Sequence, residues 1–282
     1  MVIIDNILIM KKEVENIKKK FYSIGFVPTM GFLHDGHMSL LKKSKKDNDI
    51  TILSIYVNPT QFGVNEDFNK YPRDLKRDLK MAEEEGVDIV FTPKSQEIYP
   101  KNFSTYIIEE KLSQKLCGKS RPNHFKGVAT IVIKLLNILK PDNAYFGQKD
   151  YQQYLVLNKV VIDLNLDVNL ISCPIIREKD GLALSSRNIH LKGKDRARAL
   201  SLSKALKNSE KMINNGEKGK ENILKYIEEY ILNYGKCEID YIEILNGNNL
   251  SEIDYINGKI IIAIAVKYGN TRLIDNVVLE VK

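Results

Sequence analysis

Along residues 1–176 the chain alternates short apolar runs with segments whose apolar positions recur every three or four residues. "YSIGFVPT" and "ITILSIYV" read as strands, the second β-branched and bounded by Asp49 and Pro59. Between them a helix is expected from about His37 through "MSLLKKSKK". "RDLKRDLKMAEEEG" sets Leu75, Leu79 and Ala82 on one helical face and stops at Gly86. "VDIVFTP" follows as a strand, "GVATIVIKLLNILKP" as a helix ended by Pro141, and "NAYFG" as a short strand. "DYQQYLVLNKVVIDLN" is an amphipathic helix and "VNLISCPII" a further strand. Strands that are apolar nearly throughout, alternating with helices, indicate a parallel sheet covered on both faces. Such sheets bind ligands at the carboxyl ends of their strands.

The pattern changes after about residue 176. "KDRARALSLSKALKNSEKMINNG" and "ENILKYIEEYILNYG" are two helices in succession. "EIDYIEIL", "KIIIAIAVKYG" and "TRLIDNVVLE" then read as strands, with turn signals such as Asn246-Gly247 and Asn257-Gly258. This is an α+β segment with an antiparallel sheet. The expected division is a first domain over 1–176 and a smaller one over 177–282, with the boundary near 176–188. Neither an internal repeat nor a low-complexity linker interrupts the chain.

Composition narrows the class without choosing a function. Hydrophobic residues make up 43% of the 282 positions and charged residues 28%, as in a soluble globular protein. No apolar run is long enough to span a bilayer. The N-terminal "MVIIDNILIMKKEVENIKKK" carries its charges after the apolar stretch and lacks a small-residue cleavage site, so a secretory leader is not expected and the cytoplasm is. The three cysteines, Cys117, Cys173 and Cys237, are too sparse for a disulfide framework or a metal knuckle. A net charge of +7 suits anionic partners, but the lysines are spread along the chain and form no focused nucleic-acid patch.

Candidate chemistry gathers in "VPTMGFLHDGHMSLL", which holds two of the four histidines, His34 and His37. The stretch lies where a strand gives way to a helix. Backbone N–H groups and the positive end of the helix dipole meet there and favour an anion. Gly31 and Gly36 would let the backbone approach a ligand closely. Two imidazoles in the first helical turn could hydrogen-bond successive phosphate oxygens. A polar loop with two solvated histidines, or a metal pair three residues apart, fits the same spacing. Neither stock phosphate motif is present: there is no G-x-x-x-x-G-K-[ST], and no G-x-G-x-x-G follows the strand.

A His-x-Gly-His element after the first strand of such a sheet resembles the HIGH-type nucleotidyl-transfer superfamily, whose members attack the α-phosphate of a nucleotide. Longer strings sharpen the likeness. "PTMGFLHDGHMSL", "SIYVNPTQF", "YPRDLKRDL", "RPNHFKGVATIV", "PDNAYFGQKDYQQ" and "REKDGLALSSRN" resemble the pantothenate synthetase family, in order and with similar gaps. The resemblance covers nearly all of the first domain and the hinge; the last hundred or so residues match in length and type.

The resemblance implies a Rossmann-like doubly wound domain followed by a smaller lid domain, usually in a homodimer. It implies ATP-dependent joining of pantoate to β-alanine through a pantoyl adenylate, releasing AMP and pyrophosphate, with Mg²⁺ accompanying ATP and no prosthetic group. Met30, Gly31, Phe32, Leu33, His34, Asp35, Gly36 and His37 would line the ATP site, with His37 in the place of the family's usual proton donor. Thr29, Asn58, Gln61 and Gln153 would hold pantoate, and Gln61 would also lie near β-alanine. Gly147, Gln148, Lys149 and Asp150 would meet the ribose and phosphates, and Ile176 the adenine through its backbone. Leu184, Ser185, Ser186 and Arg187 would close over the triphosphate. Asp78 and Asp150 are the candidates for contact with the ion.

Physical chemistry supports these residue types independently. Attack on an α-phosphate builds charge on its non-bridging oxygens and on departing pyrophosphate, so fixed cations and N–H donors lower the barrier. His34, His37, Lys149 and Arg187 can supply them. Neutral amides such as Gln61 and Gln153 can hold a hydroxy acid without neutralising its carboxylate nucleophile. Bland readings compete: Lys149-Asp150 as a helix-start charge pair, Ser185-Ser186 as a cap, and Asp78 as a solvated helix residue. One departure stands out. The family string around Lys149 is commonly Gly-Glu-Lys-Asp, and Gln148 replaces that acid here; the amide keeps size and hydrogen bonding, so a modest effect is expected. Cys117, seven residues before His124, is read as an ordinary small residue and not as a nucleophile. Another nucleotidyltransferase of the superfamily and a nucleic-acid-binding module are the competing functions. The second lacks an RNA-binding signature.

Overall fold

The computed structural model of the chain describes residues 1–64 and 66–282. Six parallel strands form the larger sheet: β1 (Val2–Ile4), β2 (Ile24–Thr29), β3 (Ile50–Ile55), β4 (Ile89–Phe91), β5 (Asn143–Gly147) and β6 (Asn169–Cys173). They are connected through α1 (Ile7–Lys19), α2 (Asp35–Asp47), α3 (Leu75–Glu84), the single turns α4 (Ser95–Ile98) and α5 (Cys117–Ser120), α6 (His124–Leu139) and α7 (Tyr151–Asp163). The sheet order is β1-β4-β3-β2-β5-β6. From β2 the chain winds outward one way through β3 and β4, then returns to the other side for β5 and β6. The reversal puts a crevice at the carboxyl ends of β2 and β5, where a doubly wound sheet takes its ligand. α6 is buried along most of its length, as its apolar sequence requires, and packs with α1 and β2 in the main core. Each such aliphatic side chain contributes about 1.5–3 kcal/mol on burial.

Two elements precede the first strand read from the sequence. β1 is three residues long, with Val2 and Ile3 exposed on the sheet edge, so its pattern is too short to register. α1 does carry a helical period, burying Met10, Val14 and Ile17 behind the Asn6 cap.

The rest of the chain is α8 (Gly193–Arg198), α9 (Leu200–Asn214), α10 (Lys220–Asn233) and a three-stranded antiparallel sheet of β7 (Glu238–Asn246), β8 (Gly258–Tyr268) and β9 (Thr271–Val281). The helix read over "KDRARALSLSKALKNSEKMINNG" is interrupted at Ala199, which keeps near-helical dihedrals (φ −57°, ψ −22°). β8 is central and apolar on both faces. Ile260, Ile262, Ile264 and Val266 pack with α9 and α10, while Ile261 and Ala263 pack with Tyr151, Leu155 and Val156 of α7. That two-sided burial seats the small sheet on the large domain beside the crevice. Among the described residues no helix is long and apolar enough to cross a membrane.

Candidate active site

The β2–α2 junction is held from both ends. His34 is the N-cap of α2 in extended conformation, and its Nδ1 accepts the Gly36 N–H at 3.1 Å. In return His37 Nδ1 accepts the His34 N–H at 3.2 Å, a capping box built from two imidazoles. A neutral ring that accepts at Nδ1 carries its proton on Nε2. Both histidines therefore have an Nε2–H left to donate, with ring centroids 4.0 Å apart. Burial lowers the His34 pKa to about 4, helped by the Lys149 charge and opposed by Asp35 and Asp150. Burial, then His34 and Lys149, hold His37 well below the usual imidazole range. Glycine is needed at 36 because a Cβ there would lie 2.8 Å from the His34 ring.

The preceding loop turns at Gly31 (φ +81°) and Phe32 (φ +51°). Asp78, fully buried in the first turn of α3, accepts the Phe32 and Leu33 N–H groups at 2.7 Å each. Arg77 donates to the Leu33 carbonyl and lies over the Phe32 ring. Asp78 is thus an anchor of the loop. Its oxygens face backbone donors and it does not line the cleft, which removes it as a candidate for the ion.

Gln61 and Gln153 reach the same cavity, of about 240 Å³, whose walls also carry Thr29, Met30, His34, His37, Tyr71 and the α6 residues Val128, Ile131 and Val132. Gln61 is oriented on two sides: its Oε1 accepts from Asn58 Nδ2 at 3.0 Å and its Nε2 donates to Met30 Sδ at 3.2 Å. Asn58 itself is fully buried, donating also to the Gly127 carbonyl and accepting from the Thr60 and Tyr99 hydroxyls. It therefore supports Gln61, with no donor left for a ligand. The Thr29 hydroxyl is likewise engaged, donating to the Ser54 carbonyl and accepting the Gly31 N–H. Gln153 makes no side-chain hydrogen bond to another described residue, whereas its neighbour Gln152 is buried and holds the Leu112–Cys117 segment. Ser54 Oγ, on the cavity wall, is buried without a partner among the described residues.

β5 delivers Gly147, and a 3₁₀ turn, Gln148–Asp150, leads into α7. A Cβ on Gly147 would meet nothing within 4 Å, so the cavity is open at that point. Lys149 is mostly buried and depresses the pKa of both histidines, with Asp150 4.0 Å away. The Gln148 side chain has no hydrogen-bond partner among the described residues, while its carbonyl accepts from Asn276. The Ile176 carbonyl accepts the Leu184 N–H. Ser185 caps the following turn by accepting the Arg187 N–H, and Ser186 donates to the Tyr71 hydroxyl. Arg187 Nε and Nη2 donate to the two Asp67 oxygens at 2.8 and 2.9 Å, leaving Nη1 for another acceptor. Burial would lower the Arg187 pKa, but the hydrogen bonds and charge of Asp67 outweigh it and hold the guanidinium above its usual range. The inner cavity and a groove of about 1210 Å³ running out toward β9 share Lys149, Asp150, Gln153, Ser185 and Arg187, so one continuous cleft joins them.

Among the described residues no group of three or more His, Cys, Asp or Glu could hold a metal ion. Asp150, half-exposed on the cleft, fits a magnesium ion that arrives on a nucleotide's phosphates with most of its waters.

The sequence reading left several wall residues without roles. Arg121 pairs with Glu66 at 2.5 Å and donates to His124 Nε2, while His124 Nδ1 donates to the Gln61 carbonyl at 2.8 Å. Both lie in "RPNHF", where two polar residues three apart at a helix start were the available signal. Cys117 bonds instead with the Tyr241 hydroxyl and Arg272, so it shares no hydrogen bond with His124. Tyr71 opens the resembling string "YPRDLKRDL" but was given no role, and Asp67, four residues before it, had no signal beyond that proximity.

Comparison with known proteins gives a consistent picture. The family model described as pantoate-beta-alanine ligase matches residues 2–278. A pantothenate synthetase from Pseudothermotoga lettingae is 54% identical over 99% of both chains. One from Acetivibrio thermocellus is 52% identical, also over 99% of both. The crystal structure of a pantothenate synthetase from Thermus thermophilus superposes with a TM-score of 0.93 at 37% identity, covering 98% of this chain and 99% of that one. The Francisella tularensis pantoate-beta-alanine ligase, crystallised with beta-gamma ATP and beta-alanine, superposes with a TM-score of 0.80 at 36% identity, over 98% and 97% of the two chains.

Proposed function

The chain belongs to the pantoate–β-alanine ligase family, and we propose that its cleft activates pantoate as an acyl adenylate and passes the acyl group to β-alanine. It is an ATP-using ligase of pantothenate biosynthesis. The observation that carries the residue assignment is the paired capping of His34 and His37, which leaves two neutral Nε2–H donors beside Lys149.

The inner cavity suits pantoate. Gln61 Nε2 and the free amide of Gln153 can reach its carboxylate and hydroxyls, and the aliphatic wall of α6 matches its methyl groups. An amide pair orients the carboxylate yet leaves its charge for attack on the α-phosphate. ATP lies along the cleft, with its phosphates between the α2 N-terminus, Lys149 and the Ser185–Arg187 turn. As the carboxylate attacks, charge grows on the α-phosphate oxygens and the departing pyrophosphate. The two Nε2–H groups, Lys149 and Arg187 Nη1 are in place to receive it without reorganising. His37 acts as a neutral hydrogen-bond donor, since its pKa is far below neutrality. Magnesium, when bound with ATP, would add charge neutralisation at the phosphates beside Asp150. The neutral β-alanine amine then attacks the acyl carbon, the bond from that carbon to the phosphate oxygen breaks, AMP leaves, and the nitrogen gives up one proton to solvent as the amide forms. The adenylate needs protection from water, and the three-stranded sheet is proposed to close over it.

Pyrophosphate exchange tests this directly: label should pass from pyrophosphate into ATP when pantoate is present and β-alanine is not. Folded enzyme that forms pantothenate without that exchange would overturn the adenylate reading.

A further inference from the structure

The turn that carries Lys149 has little of its own to hold it. Gly147 provides no side-chain cap, Asp150 does not cap α7 with its carboxylate, and one flank of Gly147 is open. Among the described residues a single side chain bonds to the backbone of this turn, and it comes from the far end of the chain. Asn276 on β9 donates through Nδ2 to the Gln148 and Lys149 carbonyls, each at 3.0 Å. An amide nitrogen has two hydrogens, and two successive carbonyls take both. Asn276 is 4% exposed, and its Oδ1 has no partner among the described residues, so the donor end is the part in use.

The preceding residue makes a second tie. Asp275, also buried, accepts two hydrogen bonds from Arg177 at 2.6 and 3.0 Å, and its Oδ1 accepts the Asn276 N–H. Arg177 begins the segment whose bridge to Ala183 and Ile176–Leu184 bond present the Ser185–Arg187 turn. Neighbouring residues of one strand thus hold both phosphate-facing segments.

We propose that Asn276 is a positioning residue for catalysis: with Asp275 it fixes the distance between the Lys149 turn and the Ser185–Arg187 turn, and so aims Lys149 at the reacting phosphate. This rests on the reading of Lys149 given above. Misplacing a reactive group by about 1 Å can cost roughly a hundredfold in rate. N276A and the volume-matched N276L are compared in the parent and in K149A, by single-turnover pantothenate formation with enzyme in excess, by KM for pantoate, and by thermal midpoint. The expected result is a fall of about ten- to a hundredfold in rate in the parent, with KM for pantoate within about twofold, and less than about a twofold further fall in K149A. A parent-background rate within about twofold of normal would overturn the proposal. So would equal factors in both backgrounds, or failure of both variants to fold, either of which makes Asn276 structural. Full activity of K149A alone would remove the Lys149 reading, and the proposal with it, before Asn276 is considered.

Discussion

His34 and His37 each accept a backbone N–H at Nδ1, so protonating either ring breaks a cap as well as adding a charge. In the fold the pKa values of His34 and of half-buried His124 are lowered to about 4 from an ordinary 6.5, and burial also holds His37 well below 6.5. Between those limits the unfolded chain binds more protons than the native one, so stability rises with pH. The contribution is complete above the unfolded value and is lost as pH falls from about 6.5 toward 4. Urea midpoints should therefore drop across that window, and less steeply in H37Q, whose amide oxygen can still accept the His34 N–H. A flat midpoint from 6.5 to 4, or an unchanged slope in H37Q, would contradict the assignment. Individual roles were only partly legible in the sequence. Histidine, lysine and serine–arginine strings point to the proposed phosphate site, but a carboxylate or amide in such a string can face ligand or backbone. Asp78, Asn58 and Thr29 proved to face backbone or neighbouring side chains, and spacing does not reveal that choice.

At the scale of elements, the site depends on α6 lying close against the Pro59–Gln61 turn. Gly127 makes the approach possible: a Cβ there would sit 2.3 Å from the Thr60 carbonyl oxygen and 2.6 Å from the Gln61 nitrogen. The Gly127 carbonyl also accepts from Asn58, the support of Gln61. G127A should push the turn away, raising KM for pantoate roughly tenfold and lowering stability by about 1–3 kcal/mol, as overpacking does. Steady-state kinetics with a urea melt would check it; an unchanged KM would mean that Gln61 does not hold the acid. The strands and helices themselves were largely readable, because parallel strands buried on both faces are written as apolar runs. The continuous run of β8 has the same cause in an antiparallel setting, since α7 covers the face that α9 and α10 do not. β1 escaped because three residues at an edge carry too little period to detect.

For the whole molecule, the small sheet rests on α7 through an apolar seam and borders the cleft through Asp275 and Asn276. Closure over an adenylate would pivot on that seam, with the Asp275 and Asn276 ties keeping the Ser185–Arg187 turn at its distance from the Lys149 turn. Solution scattering with and without ATP plus pantoate should show a smaller radius of gyration in the liganded state. An identical profile would count against a moving lid. The sequence separated the two sheets correctly in kind, yet the contact that joins them could not be seen in it. Asn276 lies 127 residues from Lys149, with no motif around it.

The central claim is that His37, His34 and Lys149 stabilise attack of pantoate on the α-phosphate of ATP. The most direct measurement is pantoate-dependent exchange of labelled pyrophosphate into ATP, without β-alanine, in the parent, H37A and K149A enzymes, with folding checked by circular dichroism. Exchange should be present in the parent and depressed by about a hundredfold or more in each variant, near the effect of losing one fixed donor. H37A should lose only about 1 kcal/mol of stability, the cost of a cap. Parent-level exchange in folded H37A and K149A would contradict the claim.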